Sequence, residues 1–184
     1  MLISVARLIP VADAIEQLNE GLGRSLAWLV PVMATLQFGL VIAESVFDTS
    51  SIAAKDAVGY LHALIFLAGG GYALRHDAHV RVDILYRHWS PHTRARIDLA
   101  GTVFLLVPLF TTILAYSWPY VASSWAQLEG WRASSDGLPW VFVLKTFIPL
   151  GSVLMLLQGL ALAIRSLATL SRAATQSTDT RGAP

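Results

Sequence analysis

No cysteine occurs among the 184 residues, so disulfides, thiolate metal sites and a cysteine nucleophile are all excluded. Charge is scarce as well: 14% of residues are charged, where a soluble domain carries about 25%. The net charge of +1 and the scattered arginines give no continuous basic face for nucleic acid. Gly69-Gly70-Gly71 lacks the following Lys and Ser or Thr of a phosphate-cradling loop, and no nucleophile elbow occurs. No set of intramembrane carboxylates suits a proton relay. The chain therefore reads as catalytically empty, without cofactor or metal. His76, Asp77 and His79 superficially offer metal ligands, but no acid or cysteine completes a closed site, and Pro91 interrupts the His88/His92 pair.

What fills the sequence instead is apolar. Hydrophobic residues make up 55% and the mean hydropathy is +0.58, values of an integral membrane protein. Four runs are long enough to cross as helices: about 25–47, 57–74, 97–118 and 141–167. The first, as a helix, is about 35 Å long against a hydrocarbon core of about 30 Å. Pro108 sits in the middle of the third, which predicts a kink there. The expected fold class is all-α integral membrane, with four transmembrane helices and interfacial amphipathic helices.

Ahead of the first run, residues 1–24 meet Asp13, Glu16 and Glu20 too early for the apolar core of a cleaved signal peptide, and are read as retained. Leu8, Ile9, Val11, Ala12, Ile15, Leu18 and Leu22 recur at helical spacing opposite Asp13, Glu16, Gln17, Asn19 and Glu20, which predicts an amphipathic helix lying along the interface. Residues 168–184 form a polar, small-residue tail expected to be disordered.

Topology follows from the arginines. Residues 75–96 carry five of the thirteen basic residues, and assigning loops by parity puts ten on one side against Lys55, Arg132 and Lys145 on the other. The ten-residue side is expected to be cytoplasmic, with both termini inside. Trp118, Tyr120, Trp125, Trp131 and Trp140 crowd the opposite boundary.

Ionisable groups near spans are where function would hide. Glu44, near the end of the first run, and Lys55, opening the second, form a candidate structural ion pair. His62 would need a second imidazole at similar depth to ligate haem, and the third and fourth runs contain none, so it reads as a histidine hydrogen-bonding across the bundle. Between His79 and Trp89, Val80, Val82, Ile84, Leu85 and Trp89 can dip into membrane or partner while Arg81, Asp83 and Arg87 face polar surroundings.

The block Ala78-His79-Val80-Arg81-Val82-Asp83 closely resembles the hallmark of the small membrane subunit (Q-type, DctQ-like) of tripartite ATP-independent periplasmic (TRAP) transporters. The resemblance continues through Ile84-Leu85-Tyr86, Ser90-Pro91, Asp98-Leu99, Leu106-Val107-Pro108, Ser117-Trp118-Pro119-Tyr120, Ser123-Ser124-Trp125, Gly137-Leu138-Pro139, and Lys145 with Ile148-Pro149-Leu150-Gly151. It covers roughly residues 10–170 and is nearest the mannitol/chloroaromatic or 2-oxo acid branch. One departure stands out. The family commonly has Arg-Tyr before the Phe closing the first span and Gln-Glu opening the second, whereas Glu44-Ser45 and Lys55-Asp56 stand here, with the signs exchanged.

The resemblance implies a bacterial inner-membrane complex. A periplasmic substrate-binding protein (P-type) captures a small organic acid, a large membrane subunit (M-type) moves it with sodium, and this chain scaffolds the large one. It makes His79, Arg81, Asp83, Tyr86 and Trp89 candidates for contact with the large subunit or membrane lipids, and Glu129, Trp131, Arg132 and Asp136 candidates for contact with the binding protein. The rival readings are a haem- or quinone-binding anchor of a respiratory complex and an independent small secondary carrier, for which Pro108 with Gly151 is the one weak mid-membrane candidate.

Overall fold

A computed structural model describes residues 7–76, 89–130 and 136–179, the side chains of the last stretch as far as Ser171. The described residues form helices α1 (Ile9–Ala27), α2 (Leu29–Phe47), α3 (Ile52–Arg75), α4 (Pro91–Gly101), α5 (Val107–Ala126) and α6 (Val141–Asp179), with a five-residue π turn, Thr102–Leu106, joining α4 to α5. Four stretches are long and apolar enough to cross a membrane: Ile9–Phe47, Ile52–Arg75, Pro91–Ala126 and Val141–Ser171. The protein is an all-α, four-span integral membrane protein.

Local chemistry sets the helix ends. Asp48 takes a left-handed conformation (φ 49°) and stops α2. Three residues on, the Ser51 hydroxyl accepts the Ala54 N–H at 3.3 Å and starts α3, closing a tight hairpin. Ser90 caps α4 in the same way, accepting from Thr93 N–H at 3.2 Å, with Pro91 at the first helical position where its missing donor costs nothing.

The expected irregularity near Pro108 takes a definite form. Proline cannot donate to the preceding turn, and the chain widens into the π turn just before it, with Val107 N–H bonded back to Thr102 O. Helix α5 then continues through Pro119 to Ala126, past the expected run end at 118. Helix α6 likewise runs on to Asp179, so that 168–179, expected as a structureless tail, is helical.

Helix α6 is the hub. Half of its apolar window is buried, against 11%, 11% and 6% for the other three stretches, whose large side chains (Phe38, Phe66, Phe104, Tyr116) face outward. Small residues allow its neighbours to come close. A Cβ on Gly151 would lie 2.5 Å from the Leu67 carbonyl oxygen of α3, and one on Gly159 2.6 Å from a Leu106 methyl. The glycine run of α3 does not break the helix. Gly70 faces Met155, and Gly71 admits the side chain of Asn19.

Helix α1 lies lengthwise against α3 and α6. Ala12 and Ile15 pack with Ala161 and Ile164, and Gly23 lies under the Tyr72 ring. The partition of its faces differs from the amphipathic reading. Leu8, Val11 and Leu18 are exposed, while Asp13, Glu16, Asn19 and Glu20 turn toward the bundle. Against hydrocarbon this inversion is favourable: apolar side chains lose nothing by facing lipid, and polar ones find partners inside.

Candidate functional site

Among the described residues, three polar joints tie α1 to α3 and α6. At the α1–α6 contact, Arg165 donates from Nε and Nη2 to the two carboxylate oxygens of Glu16, both at 2.9 Å, and from Nη2 to Asp13 at 2.5 Å. The planar fork suits this bidentate grip, and a lone arginine in a clean apolar run needs such partners. One turn along, Arg75 of α3 donates to the Glu16 backbone carbonyl and to Glu20, each at 2.7 Å. Glu20 also accepts from Arg24 at 2.8 Å and lies 2.7 Å from His76 Nε2. The same end of the bundle therefore holds Asp13, Glu16 and Glu20 from α1 against basic groups of α3 and α6.

Deeper, Asn19 and Gln158 are both buried, and Asn19 Nδ2 donates to Gln158 Oε1 at 2.8 Å. Asn19 Oδ1 has no partner among the described residues and rests over Gly71, where no side chain intervenes. A buried amide pair of this kind fixes the register of α1 on α6, since a shift by one residue would strand both groups.

The opposite end has its own ties. Lys145 Nζ reaches Glu129 at 2.5 Å and sits 4.0 Å from the centre of the Tyr120 ring. Glu129 also accepts from the Ser124 hydroxyl at 2.8 Å, and Trp125 Nε1 donates to Thr146 at 2.8 Å. Asp56 accepts the Leu138 N–H at 3.0 Å, pinning the loop before α6 to the start of α3. Glu44 pairs with Lys55 across the α2–α3 hairpin and accepts from Ser50 at 3.0 Å.

Glu44 and Lys55 are thus brought together. Glu129 is drawn onto Lys145 and Ser124 of its own chain; Asp136 is exposed and engaged elsewhere; Trp131 and Arg132 lie outside the described residues. Of the interface candidates, Trp89 is half-buried, while His79, Arg81, Asp83 and Tyr86 lie outside the described residues. His62 does not reach across the bundle. It is exposed on the outer face of α3, stacked at 6.3 Å on Phe66 one turn on. Among the described residues no three His, Asp or Glu groups could hold a metal ion.

Sequence reasoning missed the α1 joints. The available signal was the spacing of Asp13, Glu16 and Glu20 along one helix face, matched by Gln158 and Arg165, two turns apart in an otherwise apolar stretch.

These features define a class: a four-span helical membrane subunit whose polar side chains bind its own helices together. The family described as tripartite ATP-independent periplasmic transporters, DctQ component, matches residues 24–169. The chain belongs to this family, as a TRAP transporter small permease subunit of the bacterial inner membrane, and is a transporter component and not an enzyme. It is 28% identical, over 142 residues, to the ectoine TRAP transporter small permease protein TeaB of Halomonas elongata, covering 77% of this chain and 72% of that one. No solved structure matches the chain.

The Glu44–Lys55 contact yields a direct test. Glu44→Lys is expected to lower the thermal midpoint of the detergent-purified subunit slightly, since both side chains are partly in water, and adding Lys55→Glu is expected to restore it. Equal midpoints for the single and double variants would mean that the contact holds nothing.

Proposed function

We propose that this subunit is the fixed support of a large M-type membrane subunit, which moves a small organic acid with sodium after a P-type periplasmic protein delivers it. Both termini and the arginine-rich loop at 75–96 face the cytoplasm in this reading, and the loop after α5 faces the periplasm. The observation that carries it is the use made of polar groups within the bundle. Asn19 with Gln158, and Arg165 with Asp13 and Glu16, are spent between helices of this chain. Groups committed in this way brace a scaffold, whereas a translocation site needs polar groups that can exchange partners with a solute.

Support for a moving neighbour calls for breadth and anchorage in the bilayer. Helix α2, the π turn and helix α5 supply these with outward-facing Phe38 and Val41, Phe104 and Leu105, and Leu109 respectively. His79, Arg81, Asp83, Tyr86 and Trp89 organise the cytoplasmic edge against the large subunit or lipid. Trp131, Arg132 and Asp136 meet the binding protein, with Glu129 holding their loop through Lys145. Substrate choice rests with the binding protein.

The test reconstitutes the chain into proteoliposomes alone and together with its co-purifying large membrane partner and binding protein. Sodium-driven uptake is expected only from the complete set. Uptake by this chain alone would make it a carrier in its own right and overturn the proposal.

A further inference from the structure

Helix α2 carries an outward stripe, Val30, Ala34, Gln37, Val41 and Glu44, at alternating steps of four and three residues. Helix α3 carries another, Lys55, Gly59, His62 and Phe66, at the same steps. Residues so spaced share one face of a helix, and the alternation is that of a seam along which helices pack. All of these residues are exposed except Glu44, which is half-buried. The ion pair of Glu44 with Lys55 joins the hairpin ends of the two stripes, so they lie side by side on one face of the α2–α3 hairpin.

The polar groups on this face are at the same depth. Gln37 and His62 each stand ten residues from the hairpin end of their helix, Phe47 and Ile52. At the rise of an α-helix that is about 15 Å, the middle of a hydrocarbon core about 30 Å thick. Neither side chain is long enough to reach the headgroups from there. A hydroxyl on such a face can satisfy itself on its own helix, as Thr35 does by donating to the Pro31 carbonyl at 2.8 Å. Gln37 and His62 make no hydrogen bond among the described residues, and His62 has only the ring of Phe66 beside it. An amide and an imidazole left in hydrocarbon without a partner are costly, and an acyl chain offers them neither donor nor acceptor. The face is therefore covered by protein and not by lipid tails. Small residues let a neighbour come close: Ala34 and Gly59 are exposed, and a Cβ on Gly59 would meet nothing within 4 Å.

We propose that this face of the α2–α3 hairpin docks a transmembrane helix of the large membrane subunit, one that brings a hydroxyl, amide or carboxyl group to Gln37 and His62 at the middle of the bilayer. The inference rests on the reading of this chain as the support of that subunit and adds where the two meet. A polar contact within an apolar seam fixes the register of the helices that share it, which suits a support that must hold its neighbour in one position. A second copy of this chain set here would spend both polar groups on itself and leave the large subunit to apolar surfaces such as Phe104, Leu105 and Leu109, which set no register.

The test uses the assembled complex. Gln37→Leu combined with His62→Leu keeps an apolar seam and removes both hydrogen-bonding groups. Because neither group bonds within the chain, the thermal midpoint of the purified subunit should not fall, while the amount that co-purifies with a tagged large subunit is expected to drop about tenfold, the loss of two interhelical hydrogen bonds. Gly59→Leu should act in the same direction by blocking the close approach, again without unfolding the subunit. Wild-type retention of the double variant overturns the proposal. A benzophenone side chain in place of Val41 is expected, on irradiation of membranes, to join this chain to the large subunit. An adduct of two small subunits, or labelling of lipid alone while the large subunit still co-purifies, overturns the docking face and leaves the supporting role standing. A wild-type chain that co-purifies with no large subunit overturns that role and the face together.

Discussion

Gly151→Leu is expected to leave no stably folded subunit, and Gly151→Ala to lower the thermal midpoint in mild detergent by roughly 3–10 °C. The reason is geometric. The first added carbon would lie 2.5 Å from the Leu67 carbonyl oxygen and 3.0 Å from its carbon, and backbone atoms cannot rotate aside as a side-chain tip can. Helices α3 and α6 would have to separate along the contact that also carries Gly70 against Met155. Overpacking of this kind costs about 1–3 kcal/mol for small additions, which sets the size of the alanine shift. Gly159→Ala is the informative contrast: its nearest neighbour is a methyl of Leu106, which can swing away, so the loss should be smaller. Gly21→Ala and Gly59→Ala meet nothing within 4 Å and should be neutral or slightly stabilising through helix propensity. If Gly151→Ala melts with these controls, the close crossing of α3 and α6 does not limit stability.

The crossings themselves were legible in the sequence because hydropathy reports on solvent, and a run of some twenty apolar residues has few other homes. Pro108 was legible for the same kind of reason, since a missing donor must be accommodated locally, and the π turn at Thr102–Leu106 sits next to it. Helix α1 shows where such reading stops. A carboxylate facing water and one facing an arginine on another helix leave the same periodic pattern, and Glu16 and Arg165 are 149 positions apart. Amphipathicity gives the axis along which a helix is polarised but not which side faces the bundle, and in a membrane the sign can invert. Glu129 has the same character. Read from the sequence as surface, it is committed to Lys145 once α5 and α6 are antiparallel neighbours.

Arg165→Glu is the complementary experiment on charge. It is expected to destabilise the subunit strongly and to release α1 from α6. Wild-type Arg165 serves both Asp13 and Glu16, so the reversal sets three carboxylates within a few ångströms of one another. A fully buried pair broken in this way would cost about 3–5 kcal/mol. The Arg165 and Asp13 side chains are 43% and 46% exposed, and screening by water brings the expectation down to about 2–3 kcal/mol. Arg165→Gln removes the attraction without adding repulsion and should lose less than half as much. Restoring opposite charge by Glu16→Arg in the Arg165→Glu background is expected to recover a good part of the loss. That recovery separates a specific ion pair from a general intolerance of change in α6. A cysteine placed at Ala12 or Ile15, both buried against α6, would report release of the helix through increased labelling by a water-soluble thiol reagent, a readout made simple by the absence of native cysteine. Should Arg165→Glu melt and label like the wild type, the three-way joint is incidental and α1 is held by Ala12, Ile15, the Asn19–Gln158 pair and the contacts of Arg75 with Glu16 and Glu20.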